Sequence, residues 1–207
     1  MNPGNLYIVA TPIGNLSDIT LRAIEILKSV DIVAAEDTRH SRKLFNAHNI
    51  NTSLWAVHEH NEDAKSEQLI VKLHEGLSVA LISDAGTPLI SDPGYRVVTK
   101  AREAGVNVYT VPGPCAAVAA LSVSGLPTDR FLFIGFLAPK STARQKQLQD
   151  ILDEQATVVL YESPRRITGL LSDIQSVLGA NKVVSVAKEL TKTFERVLSG
   201  TVASVLL

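Results

Sequence analysis

The sequence predicts an α/β protein of two α/β domains, with a mainly parallel N-terminal sheet and a mixed C-terminal sheet. Three observations predict it. Short aliphatic runs recur along the 207 residues, each run ends in a loop rich in Gly, Pro and Asp, and each loop leads into a helical period. Strands alternating with helices imply right-handed crossovers and parallel pairing. The composition, 45% hydrophobic and 20% charged with a formal net charge of −1, is that of an ordinary globular chain and argues against a bulk electrostatic grip on nucleic acid. Its one cysteine, Cys115, excludes an intrachain disulfide framework and fits a reducing, cytoplasmic setting. No apolar stretch approaches the ~20 residues of a membrane span.

The elements follow in order. Met1-Asn2-Pro3-Gly4 reads as a short tail, and Leu6–Ala10 as a strand entering the loop Thr11-Pro12-Ile13-Gly14-Asn15. A helix follows from about Thr20 to Ser29, with Leu21, Ile24 and Leu27 on one face. Ile32–Ala35 leads into Glu36-Asp37-Thr38-Arg39 and a helix through Leu44; Ser53–Val57 leads into His58-Glu59-His60-Asn61-Glu62 and a helix stopping before Gly76. Val79–Ile82 leads into the loop ending at Gly94, whose Asp92-Pro93 pair reads as an N-cap followed by proline at the first helical position. Val106–Val111 leads into Pro112-Gly113-Pro114-Cys115-Ala116 and a small-residue helix to about Ser124.

Gly125-Leu126-Pro127-Thr128-Asp129 breaks the pattern and divides the chain into domains 1–125 and 126–207, with a cleft expected between them. In the second domain Phe131–Leu137, Thr157–Tyr161 and Val183–Ala187 read as strands, and Ile167–Leu178 as a helix. The final apolar run Thr201–Leu207 has no polar tail and reads as an end cut inside an element.

All five loops of the first half follow strand carboxyl ends, where open α/β sheets bind ligands. The dinucleotide pattern G-x-G-x-x-G and the P-loop pattern are both missing, which excludes an ordinary NAD enzyme or nucleoside triphosphatase. The loop Ser83–Gly94 has two glycines, two prolines and two aspartates and no Lys or Arg, so it suits a ligand with hydroxyls, an amine or a positive charge rather than a phosphate. His58-x-His60 with Glu59, Glu62 and Asp63 has metal-ligand spacing, yet only His74 follows it, and a polar loop wall is the default reading; no metal is expected. Three basic clusters stand after strand ends: Arg39, Arg42 and Lys43; Lys140, Arg144 and Lys146; Arg165 and Arg166. On a chain of near-zero charge they point to a focused anionic partner. Glu36-Asp37 and Lys188-Glu189 are the candidates for acid/base work.

The run Ser83-Asp84-Ala85-Gly86-Thr87-Pro88-Leu89-Ile90-Ser91-Asp92-Pro93-Gly94 closely resembles the signature of the RsmI family, the 16S ribosomal RNA 2′-O-ribose cytidine methyltransferases. Thr11–Leu16, Ala35–Arg39, His58–Glu62, Pro112–Ala116, Tyr161-Glu162-Ser163 and Lys188–Thr193 match in order along nearly the whole chain. The resemblance implies a tetrapyrrole-methylase-like (class III) fold with S-adenosylmethionine in the cleft, a family that continues beyond Leu207, and a homodimer. It implies cofactor contacts at Pro12, Ser83, Asp84, Ala85, Gly86, Thr87, Cys115, Ala116, Glu162 and Leu190. Tetrapyrrole-acting relatives carry Gly-Gly-Asp-Pro where this chain has Ile82-Ser83-Asp84-Ala85, which favours an RNA acceptor over a porphyrin. The implied partner is 16S rRNA in the 30S subunit, held by Arg39, Arg42, Lys140, Arg144, Lys146, Arg165 and Arg166, with Lys188 or Glu189 handling the proton. The rival readings are a small-molecule or tetrapyrrole methylase on the same fold and a noncatalytic RNA-binding module.

Overall fold

The computed structural model describes residues 3–58 and 60–207; the tail residues Met1 and Asn2, and Glu59 of the histidine loop, lie outside the described residues. The chain divides into two compact units, Met1–Cys115 and Ala116–Leu207.

The first unit runs β1 (Leu6–Val9), α1 (Leu21–Ser29), β2 (Ile32–Ala35), α2 (Thr38–Ala47), β3 (Ser53–Ala56), α3 (Glu62–His74), β4 (Val79–Ile82), α4 (Tyr95–Glu103) and β5 (Val108–Val111). Its strands form one five-stranded sheet in the order β3-β2-β4-β1-β5, with every pair parallel. Alternation along each strand builds two cores. Val33, Ala35, Ala80 and Ile82 face one apolar cluster with Ala23, Leu27 and Phe45; Ile32, Ala34, Val79 and Leu81 face another with Leu69, Leu73 and Val97. A sheet buried on both faces explains why its strands are continuous aliphatic runs. Thr20 caps α1 through the Ala23 N–H (3.1 Å), and Asp37 caps α2 through the Arg39 N–H (2.8 Å).

Helix α4 departs from the expected start. Gly94, at φ +129°, is its N-cap, and Asp92 does not cap it. The buried carboxylate of Glu62, at the start of α3, accepts the N–H groups of Gly94 (3.1 Å) and Arg96 (2.9 Å) instead. A partner from a neighbouring helix therefore supplies what the local Asp-Pro signal promised. A Cβ at Gly94 would lie 2.8 Å from Leu81 Cδ2, so glycine is required there by space as well as by φ.

The second unit runs α5 (Ala116–Ser124), β6 (Phe131–Phe136), α6 (Ser141–Gln149), β7 (Thr157–Tyr161), α7 (Ile167–Leu178), β8 (Val183–Lys188), β9 (Arg196–Thr201) and α8 (Val202–Val205). β6 and β7 pair in parallel, and β8 and β9 form an antiparallel hairpin. Helix α5 belongs to this unit, which begins at Ala116. The Tyr161 hydroxyl ties α5 to β7 by accepting the Ala117 N–H at 3.0 Å. The core gathers Leu137, Leu148, Leu170, Leu171, Ile174 and Val202. No helix among the described residues is long and apolar enough to cross a membrane.

Glu62→Ala removes the acceptor of two helix-end N–H groups and should lower unfolding free energy by about 2–4 kcal/mol in urea denaturation. Glu67→Ala, on the exposed side of the same helix, should stay within about 0.5 kcal/mol of wild type.

Candidate ligand site at the strand ends of the first unit

The loops following β1, β2, β4 and β5 are hydrogen-bonded to one another. Thr11 forms an antiparallel bridge with Gly86, N–H to C=O in both directions at 2.9 and 3.0 Å. Its buried hydroxyl donates to the Ser83 carbonyl at 3.1 Å. The Asp37 N–H donates to Asp84 Oδ1 at 3.0 Å, and the Thr87 hydroxyl donates to the Pro114 carbonyl at 3.0 Å. Through Glu62, the β3 side joins the far end of the same loop. Leu89 (φ +74°) and Ser91 (φ +64°) hold conformations that side chains disfavour, which such ties can sustain.

A cavity of about 230 Å³ opens at these strand ends. Its lining includes Thr11, Pro12, Ser83 and Asp84 on the loop side and His40, Ser41 and Lys43 on α2. Ser83 is 2% exposed, and its hydroxyl lies beside the half-buried Asp92 carboxylate, whose charged form it helps to hold. Of the expected cofactor positions, Pro12, Ser83 and Asp84 line the cavity, Gly86 and Thr87 make the loop ties beside it, and Ala116 opens α5 in the second unit. Thr11 and Glu62, the site's organising groups, were visible in sequence only as neighbours of Pro12 and of the histidine pair.

The site is acidic. Burial pushes the Glu36 carboxyl above its ordinary value, and the charges of Asp84, Asp92 and Asp37 add to this against a lowering backbone hydrogen bond. Burial also raises Asp92; a hydrogen bond from the Ser83 hydroxyl offsets part of this, and the Asp84 charge adds to it. Asp37 behaves oppositely: hydrogen bonds from Arg39 hold it down to about 2. Among the described residues no group of three or more His, Cys, Asp or Glu side chains is arranged to hold a metal ion. The His58 and His60 rings stand edge to face at 6.0 Å.

Two of the expected RNA contacts make internal bonds. Arg144 is 5% exposed; its guanidinium pairs with Asp173 at 2.5–2.6 Å and donates to the Pro139 carbonyl. Burial alone would raise the Asp173 carboxyl, but hydrogen bonds from Gln145, Ser141 and Arg144 outweigh it and leave it below its ordinary value. Arg166 donates to the Leu137 and Ala138 carbonyls and pairs with Glu162 at 3.0 Å. Arg144 holds the second unit together rather than presenting charge, while Arg166 makes these internal bonds with its side chain 32% exposed. The Glu162 carboxylate also accepts the Ser163 N–H at 2.7 Å, so it faces inward. Arg39, Arg42, Lys140, Lys146 and Arg165 are exposed, Arg39 while paired with Asp37. Lys188 ends β8, Glu189 follows at φ +51°, and Leu190 is half-buried in the hairpin loop.

Comparison with known proteins places this geometry. A family model described as Tetrapyrrole (Corrin/Porphyrin) Methylases matches residues 5–206. Ribosomal RNA small subunit methyltransferase I of Vibrio cholerae serotype O1 is 57% identical over 192 residues, covering 93% of this chain and 67% of that protein. The protein of the same name from Escherichia coli O157:H7 is 53% identical, over 98% of this chain and 71% of its own length. A crystal structure of diphthine synthase superposes with a TM-score of 0.78 at 14% identity, covering 98% and 84% of the two chains; at that identity it speaks for the fold alone. The chain belongs to the tetrapyrrole methylase family and is of the methyltransferase class. Within that family it groups with the ribosomal RNA small subunit methyltransferase I proteins.

A carboxyl raised on folding removes stability as pH climbs from its ordinary value, 4.5 for Glu36, through the raised one. Glu36→Gln should therefore be more stable than wild type at neutral pH, with the difference vanishing below the ordinary value; paired urea midpoints across pH measure it. For the buried pair, Arg144→Ala should lose about 3–5 kcal/mol because Asp173 is left charged and unpaired. Lys146→Ala, on the same helix but exposed, should change stability by less than about 0.5 kcal/mol in the same assay.

Proposed function

We propose that the chain is an S-adenosylmethionine-dependent methyltransferase acting on the ribose 2′-oxygen of a cytidine in the decoding region of 16S rRNA. The observation that carries the donor assignment is the strand-end cavity itself, lined by Pro12, Ser83 and Asp84 beside a cluster of carboxylates. S-adenosylmethionine has no phosphate and offers hydroxyls, an ammonium, a carboxylate and a sulfonium. A loop without Lys or Arg, flanked by Glu36, Asp84 and Asp92, matches that chemistry. Pro12, Ser83, Asp84, Ala85, Gly86 and Thr87 would hold it, with Cys115, Ala116, Glu162 and Leu190 as the further positions that the family resemblance assigns. Bound there, it supplies an electrophilic methyl group.

The chain's own residues must orient the acceptor hydroxyl and remove its proton around the transition state. Lys188 or Glu189 is assigned the proton. Arg39, Arg42, Lys140, Lys146 and Arg165 would contact phosphates, which position the RNA without reading its sequence. The rRNA acceptor is supported by the printed names of relatives more than 50% identical to this chain. Cytoplasmic location and a homodimer belong to the same reading.

Calorimetry with S-adenosylmethionine should show binding to the wild-type chain, about tenfold weaker for Ser83→Ala and for Asp84→Ala, as expected for one lost charge-assisted hydrogen bond. Unchanged affinity in both variants would remove these residues from the site. Lys188→Ala and Glu189→Ala should keep cofactor affinity while at least one slows methyl transfer to 30S particles; wild-type rates in both would retire the proton assignment.

A further inference from the structure

The hairpin formed by β8 and β9 carries features that neither its own stability nor the strand-end site accounts for. Its register sets Lys188 directly opposite Arg196, and like charges facing each other across an antiparallel pair are destabilising. Lys192 adds a third cation in the loop between them. Among the described residues none of the three forms an ion pair. Glu189 and Glu195, the acids next to them in sequence, form no ion pair with them among the described residues, and Glu195 accepts the Thr191 N–H at 2.5 Å.

That bond, with the Lys192 N–H donating to the Glu189 carbonyl at 3.0 Å, fixes a loop in which Glu189 (φ +51°) and Thr191 (φ +68°) are both left-handed. The enclosed Thr191 hydroxyl has no hydrogen-bond partner among the described residues. The same loop presents Phe194 at 77% exposure, with no aromatic neighbour among the described residues. A ring placed for packing would be buried; this one is held out from a fixed loop among unneutralised cations.

We propose that this hairpin binds single-stranded RNA, with Phe194 stacking against an unpaired base and Lys192 and Arg196 contacting the flanking phosphates. An unstacked base offers its π-face to an aromatic ring, and a duplex does not. The inference rests on the RNA reading above and adds to it a preference for unpaired substrate, which the exposed cations elsewhere do not confer.

Fluorescence anisotropy of the full chain with a short fluorescein-labelled cytidine-containing RNA, free or annealed to its complement, tests this. Wild type should favour the single strand. Phe194→Leu should weaken single-strand binding by about fivefold or more and leave duplex binding unchanged, the size expected for one lost stacking contact. Phe194→Trp should retain affinity, its added emission quenched by RNA. Lys192→Gln and Arg196→Gln should each lower the salt slope by about 0.7. Equal S-adenosylmethionine affinity in Phe194→Leu and wild type checks that the variant folds. Wild-type RNA binding by Phe194→Leu overturns the hairpin's role and leaves the methyltransferase reading standing. So does a smaller sedimenting species with RNA affinity unchanged, since the ring then serves a contact between copies. Failure of the wild type to bind either RNA, with cofactor binding intact, overturns the hairpin's role and the rRNA assignment together.

Discussion

The closure of Thr11 onto Gly86 and Ser83 is the constraint on which the rest of the site depends. Parallel strands deliver their loops to one edge of the sheet, but loops carry backbone groups that must find partners. Here they find them in each other. β4 lies at the centre of the sheet order, so its loop reaches β1 through Thr11, β2 through Asp84 and β5 through Thr87. Glu62 brings in the β3 side by holding the end of the same loop at the start of α4. A cavity with a fixed wall follows, and the free energy of ordering that wall is met in folding rather than on binding.

Charge is segregated on this near-neutral chain. Carboxylates crowd the strand ends of the first unit, where burial and mutual repulsion raise Glu36 and Asp92. Exposed cations stand on α2, around α6 and on the β8–β9 hairpin. An acidic, half-buried floor suits a cationic donor, and dispersed surface cations suit a polyanion. Net charge of −1 hides both features, because it sums regions that face different ligands.

Much of the architecture was legible because the buried strands are aliphatic runs bounded by Gly, Pro or Asp. Ile32–Ala35, Val79–Ile82, Thr157–Tyr161 and Ile167–Leu178 have the same ends in sequence and structure. What escaped depends on partners distant in the chain. Asp92-Pro93 has the local form of a helix cap, but Glu62, 32 residues from Gly94, takes that role. Arg144 looks like one of a basic run until Asp173 buries it. β9 was missed because Arg196–Thr201 is largely exposed and mixes polar with apolar residues, which makes a strand only by pairing with β8. The Ser83–Thr87 run was readable as a ligand loop; the ties from Thr11, Asp37 and Pro114 that fix it depend on partners distant in the chain.

The central claim is that the knotted strand ends of the first unit form a ready-made donor site. Residue-resolved amide hydrogen exchange, with and without S-adenosylmethionine, tests it most directly. The account predicts that the N–H groups of Thr11, Asp37 and Gly86 are already protected in the free chain and become slower still when the cofactor is added. Unprotected amides in the free chain, or rates that S-adenosylmethionine leaves unchanged, would contradict it.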